Sequence, residues 1–134
     1  MEERNLQLQE KYRKIRETEV RYEMQCCEDA DYVIVAFGSA ARIAEKSIES
    51  AREQGIKVGL FRPITLWPFP TQEIHHLAES TKGILVAEIN AGQMVEDVRL
   101  AVRFEKPVHF YGRTGGMIPE PEHIAQAARE ALKQ

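Results

Sequence analysis

The side chains best suited to chemistry in this chain sit in short loops between apolar runs. Glu88, Asn90 and Gln93 place one carboxylate and two amides in a single loop. Such a set could hold a polar ligand; equally, it could cap the helix starting near Met94 and fasten a loop across an interface. We read it as the second. Glu88 has no neighbouring carboxylate or histidine in sequence with which to form a general acid–base pair. The segment Gly112-Arg-Thr-Gly-Gly116 resembles a phosphate cradle, because glycines turn backbone amides toward an anion and Arg113 adds charge. It matches neither G-x-G-x-x-G nor G-x-x-x-x-G-K-[ST], and the next helix starts only at Pro121. We therefore read it as a turn that sets Arg113 and Met117 against a partner.

Other reactive types are more plainly structural. Arg62 ends an apolar strand, where a lone guanidinium would be costly, and Glu88 at another strand end is its expected ion-pair partner. His75 and His76 are consecutive on a helix, point about 100° apart and cannot share a metal. His109 alternates within a strand and is expected to be packed. Ser39 follows Gly38 without the G-x-S-x-G turn of a nucleophile, so it reads as a helix cap. The only cysteines, Cys26 and Cys27, are adjacent; two thiols cannot complete a four-ligand metal site. From residues alone no catalytic set forms. Arg62, Glu88, Asn90, Gln93 and Arg113 remain as anion-binding or interface candidates.

The elements that must position these loops repeat one unit. Residues 1–19 are polar, with Leu8, Tyr12 and Ile15 at i, i+4 and i+7, a narrow helical stripe that reads as a linker helix. Val20, Tyr22 and Met24 alternate with Arg21 and Glu23, as in a half-exposed edge strand. From residue 31 onward, apolar strands at Tyr32–Phe37, Lys57–Phe61, Gly83–Ile89 and Pro107–Tyr111 alternate with helical patterns. Ser39 and Thr71 are the predicted N-caps of the first two helices; the next begins after Gly92 and the last at Pro121. This spacing predicts an α/β fold with three layers, α/β/α: a five-stranded, mostly parallel sheet with one antiparallel edge strand, in a domain spanning residues 20–134. Between strand two and the following helix, Leu60 to Pro70 carries three prolines around Trp67, which excludes helix and central strand and predicts a sculpted surface loop.

The chain has 134 residues, enough for one domain with a full core, and a formal net charge of −3. That charge gives no electrostatic case for nucleic acid or an anionic membrane. The apolar runs fall far short of the ~20 residues of a membrane span. With no charged-then-apolar leader, the chain is expected to be cytoplasmic.

Four stretches together carry a resemblance: Val33 to Ser39 (VIVAFGS), Gly59 to Pro70 (GLFRPITLWPFP), Glu88 to Met94 (EINAGQM) and Tyr111 to Gly116 (YGRTGG). They resemble the C-terminal region of the alpha subunit of 2-oxoacid:ferredoxin oxidoreductases. The branched-chain (2-oxoisovalerate) type is most similar and the 2-oxoglutarate type a near rival. The resemblance runs from about Leu6 to the end and implies a transketolase C-terminal-like domain. It also implies an assembly that oxidatively decarboxylates a 2-oxoacid on thiamine diphosphate with magnesium. Electrons would pass through iron–sulfur clusters to ferredoxin, and an acyl-CoA would form. The family's larger upstream domain is not matched here, and none of its cofactor ligands carry over to residues of this chain. The expected role is thus a structural and interface domain, inactive alone, met by the upstream domain and other subunits. Trp67, Phe69, Met94 and Met117 are the expected interface residues, through which the isolated domain could also self-associate. Two alternatives stay open. One is a small anion- or CoA-binding module at the strand ends. The other is the equivalent domain of a branched-chain dehydrogenase beta subunit, against which the YGRTGG segment argues.

Overall fold

A computed structural model describes residues 1–133. The order is α1 (Glu2–Thr18), β1 (Tyr22–Gln25), β2 (Tyr32–Val35), α2 (Gly38–Glu53), β3 (Val58–Pro63), α3 (Thr71–Ser80), β4 (Gly83–Glu88), α4 (Met94–Ala101), β5 (Val108–Gly112) and α5 (Pro121–Leu132). The strands form one sheet ordered β1-β3-β2-β4-β5. β2 pairs in parallel with β3 and β4, and β4 with β5, while β1 runs antiparallel to β3. The predicted four parallel strands with an antiparallel edge are therefore present.

Alternation along the central strands divides the core into two layers. Val33, Val35, Phe61, Ile84 and Val86 point to one face, where they meet Ile74 and Leu77 of α3 and Val95 and Val98 of α4. Ile34, Leu60, Leu85 and Ala87 point to the other, against Ala44 and Ile48 of α2 and Ile124 and Ala128 of α5. Small residues dominate the second layer, so α2 and α5 approach the sheet closely. α1 lies outside both layers and buries no residue. It touches the body through Trp67, whose ring meets Tyr12 edge-on at 5.7 Å and lies 6.0 Å from the Arg16 guanidinium.

Two predicted caps are corrected. α2 begins at Gly38, so Ser39 falls inside the first turn and makes no capping bond. The cause is Gly38, whose φ of +55° turns the chain from strand to helix before Ser39 is reached. α3 likewise begins at Thr71, with Pro70 in the cap position and no side-chain cap. Pro121 does open α5, as expected of a first-turn proline.

Arg52 joins three segments. Its Nε donates to the Val58 carbonyl at 2.8 Å, and its Nη2 donates to the Cys26 carbonyl and the Asp29 carboxylate, each at 2.7 Å. The hydrogen bond from Arg52 holds the Asp29 carboxyl below its ordinary range. This clamp fixes the loop holding Cys26, which sits at φ +55°. Cys27 beside it is buried, donates to the Leu60 carbonyl at 3.2 Å, and has its thiol pushed up to about 11 by burial.

Replacing Arg52 by Ala strands two backbone carbonyls and should lower unfolding stability by about 1–3 kcal/mol, measured by urea denaturation, with Arg52→Lys intermediate. Because the folded Cys27 pKa is raised, its protonated thiol stabilises the fold at pH below the unfolded value of 9.0. That contribution is lost as pH climbs from there toward 11. Cys27→Ala should flatten this alkaline decline. A thiol reagent at neutral pH should modify Cys26 in the native protein and Cys27 only after unfolding.

Candidate functional site

Helices α2 and α4, which follow β2 and β4, lie on opposite faces of the sheet and lead away toward opposite edges, which opens a crevice at the carboxyl ends of those two strands. Phe37, Leu66, Glu88, Gln93, Met94 and Asp97 line a cavity of about 160 Å³ there. Glu88 ends β4 with 0% exposure and is the only buried carboxylate among the described residues. Its oxygens accept hydrogen bonds from the backbone N–H groups of Gln93 at 3.2 Å, Met94 at 2.9 Å and Val95 at 3.1 Å. Asn90 Nδ2 adds a fourth donor at 3.1 Å, and Asn90 Oδ1 accepts from Gly92 N–H at 2.7 Å.

The amide donors of α4 are thus satisfied from inside the protein, and the negative charge lies at the positive end of the helix. This is the capping arrangement expected for Glu88 and Asn90. Gln93 takes part through its backbone, while its side chain is exposed. The same geometry closes the α4 terminus to a phosphate, since a carboxylate already stands where an anion would sit.

The sheet order separates the remaining candidates. Arg62 ends β3 and Glu88 ends β4, with β2 between them, so their expected ion pair does not form. Arg62 instead pairs with Glu23, its register partner on β1, at 3.0 Å. Its guanidinium is partly solvated, which removes the penalty that had argued for Glu88. Arg62 lines a polar cavity of about 390 Å³ with Gly38, Ser39, Arg42 and Glu45. Arg113 lies on the far side of β4, lining a hollow of about 300 Å³ with Tyr111, His123 and Gln126 of the β5–α5 region. Its backbone N–H donates to the Glu88 carbonyl at 3.2 Å, and nothing brings its side chain to Arg62. Arg42 was not legible as a partner of Arg62, because helix spacing says nothing about which strand end a first turn faces.

Of the interface candidates, Trp67 is 53% exposed and Met117 is 54% exposed. Ile64, Leu66 and Ile118, adjoining them in sequence, are also exposed and extend the apolar character of both loops. Phe69 is half-buried against the core, and Met94 is buried within it. Met94 opens α4 with its side chain inward, because Glu88 fixes the rotation of the first turn. His109 is half-buried, its ring 6.0 Å from that of Tyr32, as the strand alternation implied.

The residues described do not fit the metal ion or the iron–sulfur clusters implied by the resemblance. Among the described residues no three His, Cys, Asp or Glu side chains converge to hold a metal ion. Cys27, one of two thiols, is buried and hydrogen-bonded to backbone carbonyls, so it is not presented to a cluster. Among the described residues no helix is long and apolar enough to cross a membrane.

The bonds to Glu88 set a measurable expectation. Glu88→Gln replaces one acceptor oxygen with an NH₂ that faces backbone donors, so it should destabilise the fold by about 2–4 kcal/mol in urea titration. A loss below about 0.5 kcal/mol, the range of neutral surface changes, would show that α4 does not depend on this carboxylate.

Comparison with known proteins agrees with this architecture. The family model described as pyruvate:ferredoxin oxidoreductase core domain II matches residues 30–124. Ketoisovalerate oxidoreductase subunit VorB of Methanothermobacter marburgensis is 45% identical over 130 residues, 97% of this chain and 37% of that protein. 2-Oxoglutarate synthase subunit KorA of the same organism is 34% identical over 97 residues, 72% of this chain and 26% of that protein. The chain therefore spans little more than a third of the VorB relative. Among solved structures, 2-oxoglutarate:ferredoxin oxidoreductase from Magnetococcus marinus superposes with a TM-score of 0.70 at 24% identity, covering 84% of this chain and 20% of that one. A split-gene transketolase, an inactive beta4 tetramer, gives 0.72 at 21% identity, covering 84% and 41%. These two likenesses establish the transketolase-like fold. The match to the family model places the chain in the pyruvate:ferredoxin oxidoreductase core domain II family, among the 2-oxoacid:ferredoxin oxidoreductases that its four motifs resemble.

Proposed function

We propose that this chain is a structural and subunit-interface domain of a 2-oxoacid:ferredoxin oxidoreductase of the ketoisovalerate type, and that it supplies no catalytic group of its own. The observation that carries this reading is the match to VorB along 97% of the chain but only 37% of that protein. The activity then belongs to an assembly larger than this domain. In that assembly, thiamine diphosphate, magnesium and the iron–sulfur clusters are held by other domains and subunits, CoA is a substrate, and ferredoxin is the electron acceptor.

The geometry supports the division of labour. The one buried carboxylate is fully engaged by α4, and the two strand-end arginines Arg62 and Arg113 line separate hollows. That separation argues against the single strand-end cleft of the alternative, an anion- or CoA-binding module. Meanwhile Ile64, Leu66, Trp67, Met117 and Ile118 present large apolar side chains to solvent from loops that follow β3 and β5. Such side chains are enriched at interface cores. Residues 1–19, packed only on Trp67, act as the linker helix from the upstream domain, and residues 20–134 form the docking domain.

The purified chain should show no CoA-dependent oxidation of 3-methyl-2-oxobutanoate with ferredoxin or a viologen, and measurable activity would overturn the reading. In the complete oxidoreductase, Trp67→Ala and Met117→Ser should weaken subunit association by about tenfold or more, as truncated interface anchors do. Met117→Ser should leave the unfolding free energy of the isolated domain within about 0.5 kcal/mol of the parent.

A further inference from the structure

The sheet edge at β1 holds backbone groups turned away from the rest of the sheet. β1 pairs only with β3. Arg21, just before it, faces that neighbour: its carbonyl accepts from the Ile64 N–H at 2.9 Å. Hydrogen-bonding direction alternates along an antiparallel pair. Glu23 and Gln25 therefore also face β3, while the N–H and C=O groups of Tyr22 and Met24 face outward. Their register partners agree. Pro63, opposite Tyr22, has no N–H to give, and the Phe61 carbonyl, opposite Met24, accepts from Ala36 on the β2 side at 3.2 Å. All of β1 is exposed, and it contains neither Lys nor Pro, the residues that ordinarily blunt an edge against pairing.

Beside this edge a groove of about 610 Å³ runs between β1 and α3, lined by no residue of the proposed docking loops. Tyr22 and Met24 form its floor with Leu77, and Tyr22 stacks on Phe61 of the same sheet face at 5.1 Å. α3 follows the carboxyl end of β3 and runs back toward the start of β4, so it travels alongside β1 in the same direction. Glu73 therefore stands at the Tyr22 end of the groove, and Glu28 and Glu79 at the Cys27 end. None of the lining side chains is Lys or Arg. The one basic type is His76, whose Nδ1 lies 3.0 Å from Glu79.

A strand added to β1 places every second side chain over this groove. The two opposite Tyr22 and Met24 meet the apolar floor and must themselves be apolar. The next positions outward on the same face lie near the carboxylates, where Lys or Arg is favoured and Asp or Glu is repelled. A second copy of β1 is a poor occupant by the same test. Antiparallel pairing of two β1 strands puts both α3 helices on one side of the joined sheet, and so brings both sets of carboxylates to one seam.

We propose that β1 takes up an extended segment of another polypeptide as an added antiparallel strand, and that the groove selects a segment with two apolar residues at alternate positions flanked by Lys or Arg. Backbone pairing supplies the attachment, and the groove supplies the choice of sequence. This inference does not depend on the oxidoreductase role proposed above, since neither β1 nor α3 enters that reading.

Titration of the full chain with the synthetic peptide acetyl-Lys-Thr-Val-Thr-Val-Thr-Lys-amide, followed through the backbone amide resonances of the protein, tests it. Saturable shifts should centre on Tyr22, Met24 and Leu77. Methylating the backbone nitrogens of both valines removes the strand's donors and should weaken binding by at least about tenfold. So should the paired substitution Glu73→Lys, Glu79→Lys in the protein. A peptide with Glu in place of both Lys should bind that variant more tightly than it binds the parent, which also shows that the variant is folded. Absence of saturable shifts at about millimolar peptide would overturn the proposal, as would binding indifferent to N-methylation or to the exchange of charges. A parent chain that dimerises through β1 and excludes the peptide would overturn it in favour of a second copy.

Discussion

Glu88 occupies the one place in the sheet where a strand end, a helix start and a neighbouring strand must agree. Its carboxylate gathers the N–H groups of Gln93, Met94 and Val95, and Asn90 closes the intervening loop on itself. A buried carboxylate is tolerable only when its lone pairs are filled by donors, and a helix start is tolerable inside a protein only when its amides find acceptors. Each requirement answers the other. Because the bonds fix how α4 begins, they also set which residues of the helix face the sheet: Met94, Val95, Val98 and Ala101. The β5 side follows from the same loop. At Gly112 a Cβ would lie 2.5 Å from the Asn90 carbonyl oxygen, so the strand can approach only as glycine.

This arrangement decides what the crevice can do. In many open α/β sheets the helix end at the switch point is left free for a ligand's phosphate. Here an internal anion takes that position. The two strand-end arginines, Arg62 and Arg113, are kept apart by β2 and β4. The fold thus keeps the geometry of a binding domain while using its central polar feature for cohesion, and the loops beside the crevice expose Ile64, Leu66, Trp67, Met117 and Ile118.

The two ends of the molecule's first thirty residues show how weakly the periphery is tied down compared with this centre. α1 rests on a single tryptophan, whereas the loop after β1 is held by the three-way hydrogen bonding of Arg52. The clamp protects the path into β2, a fully buried strand, from the solvent-exposed edge.

The alternation of apolar strands with helices, the antiparallel edge at Tyr22 to Met24, and the helix faces around Ile48, Leu77, Val98 and Ile124 were all legible in the sequence. Periodicity reports burial directly, so these features follow from local pattern alone. The four motifs likewise carried the family, because each is a contiguous stretch. What the sequence could not determine was which loops meet. Arg62 paired with Glu23 rather than Glu88 because strand order places β2 between the latter two, and order is not written in any window of residues. Met94 read as an exposed interface residue, yet six residues earlier Glu88 turned it into the core. Both outcomes depend on distances between segments far apart in the chain or on the rotation of a helix about its axis, and only packing in three dimensions supplies those.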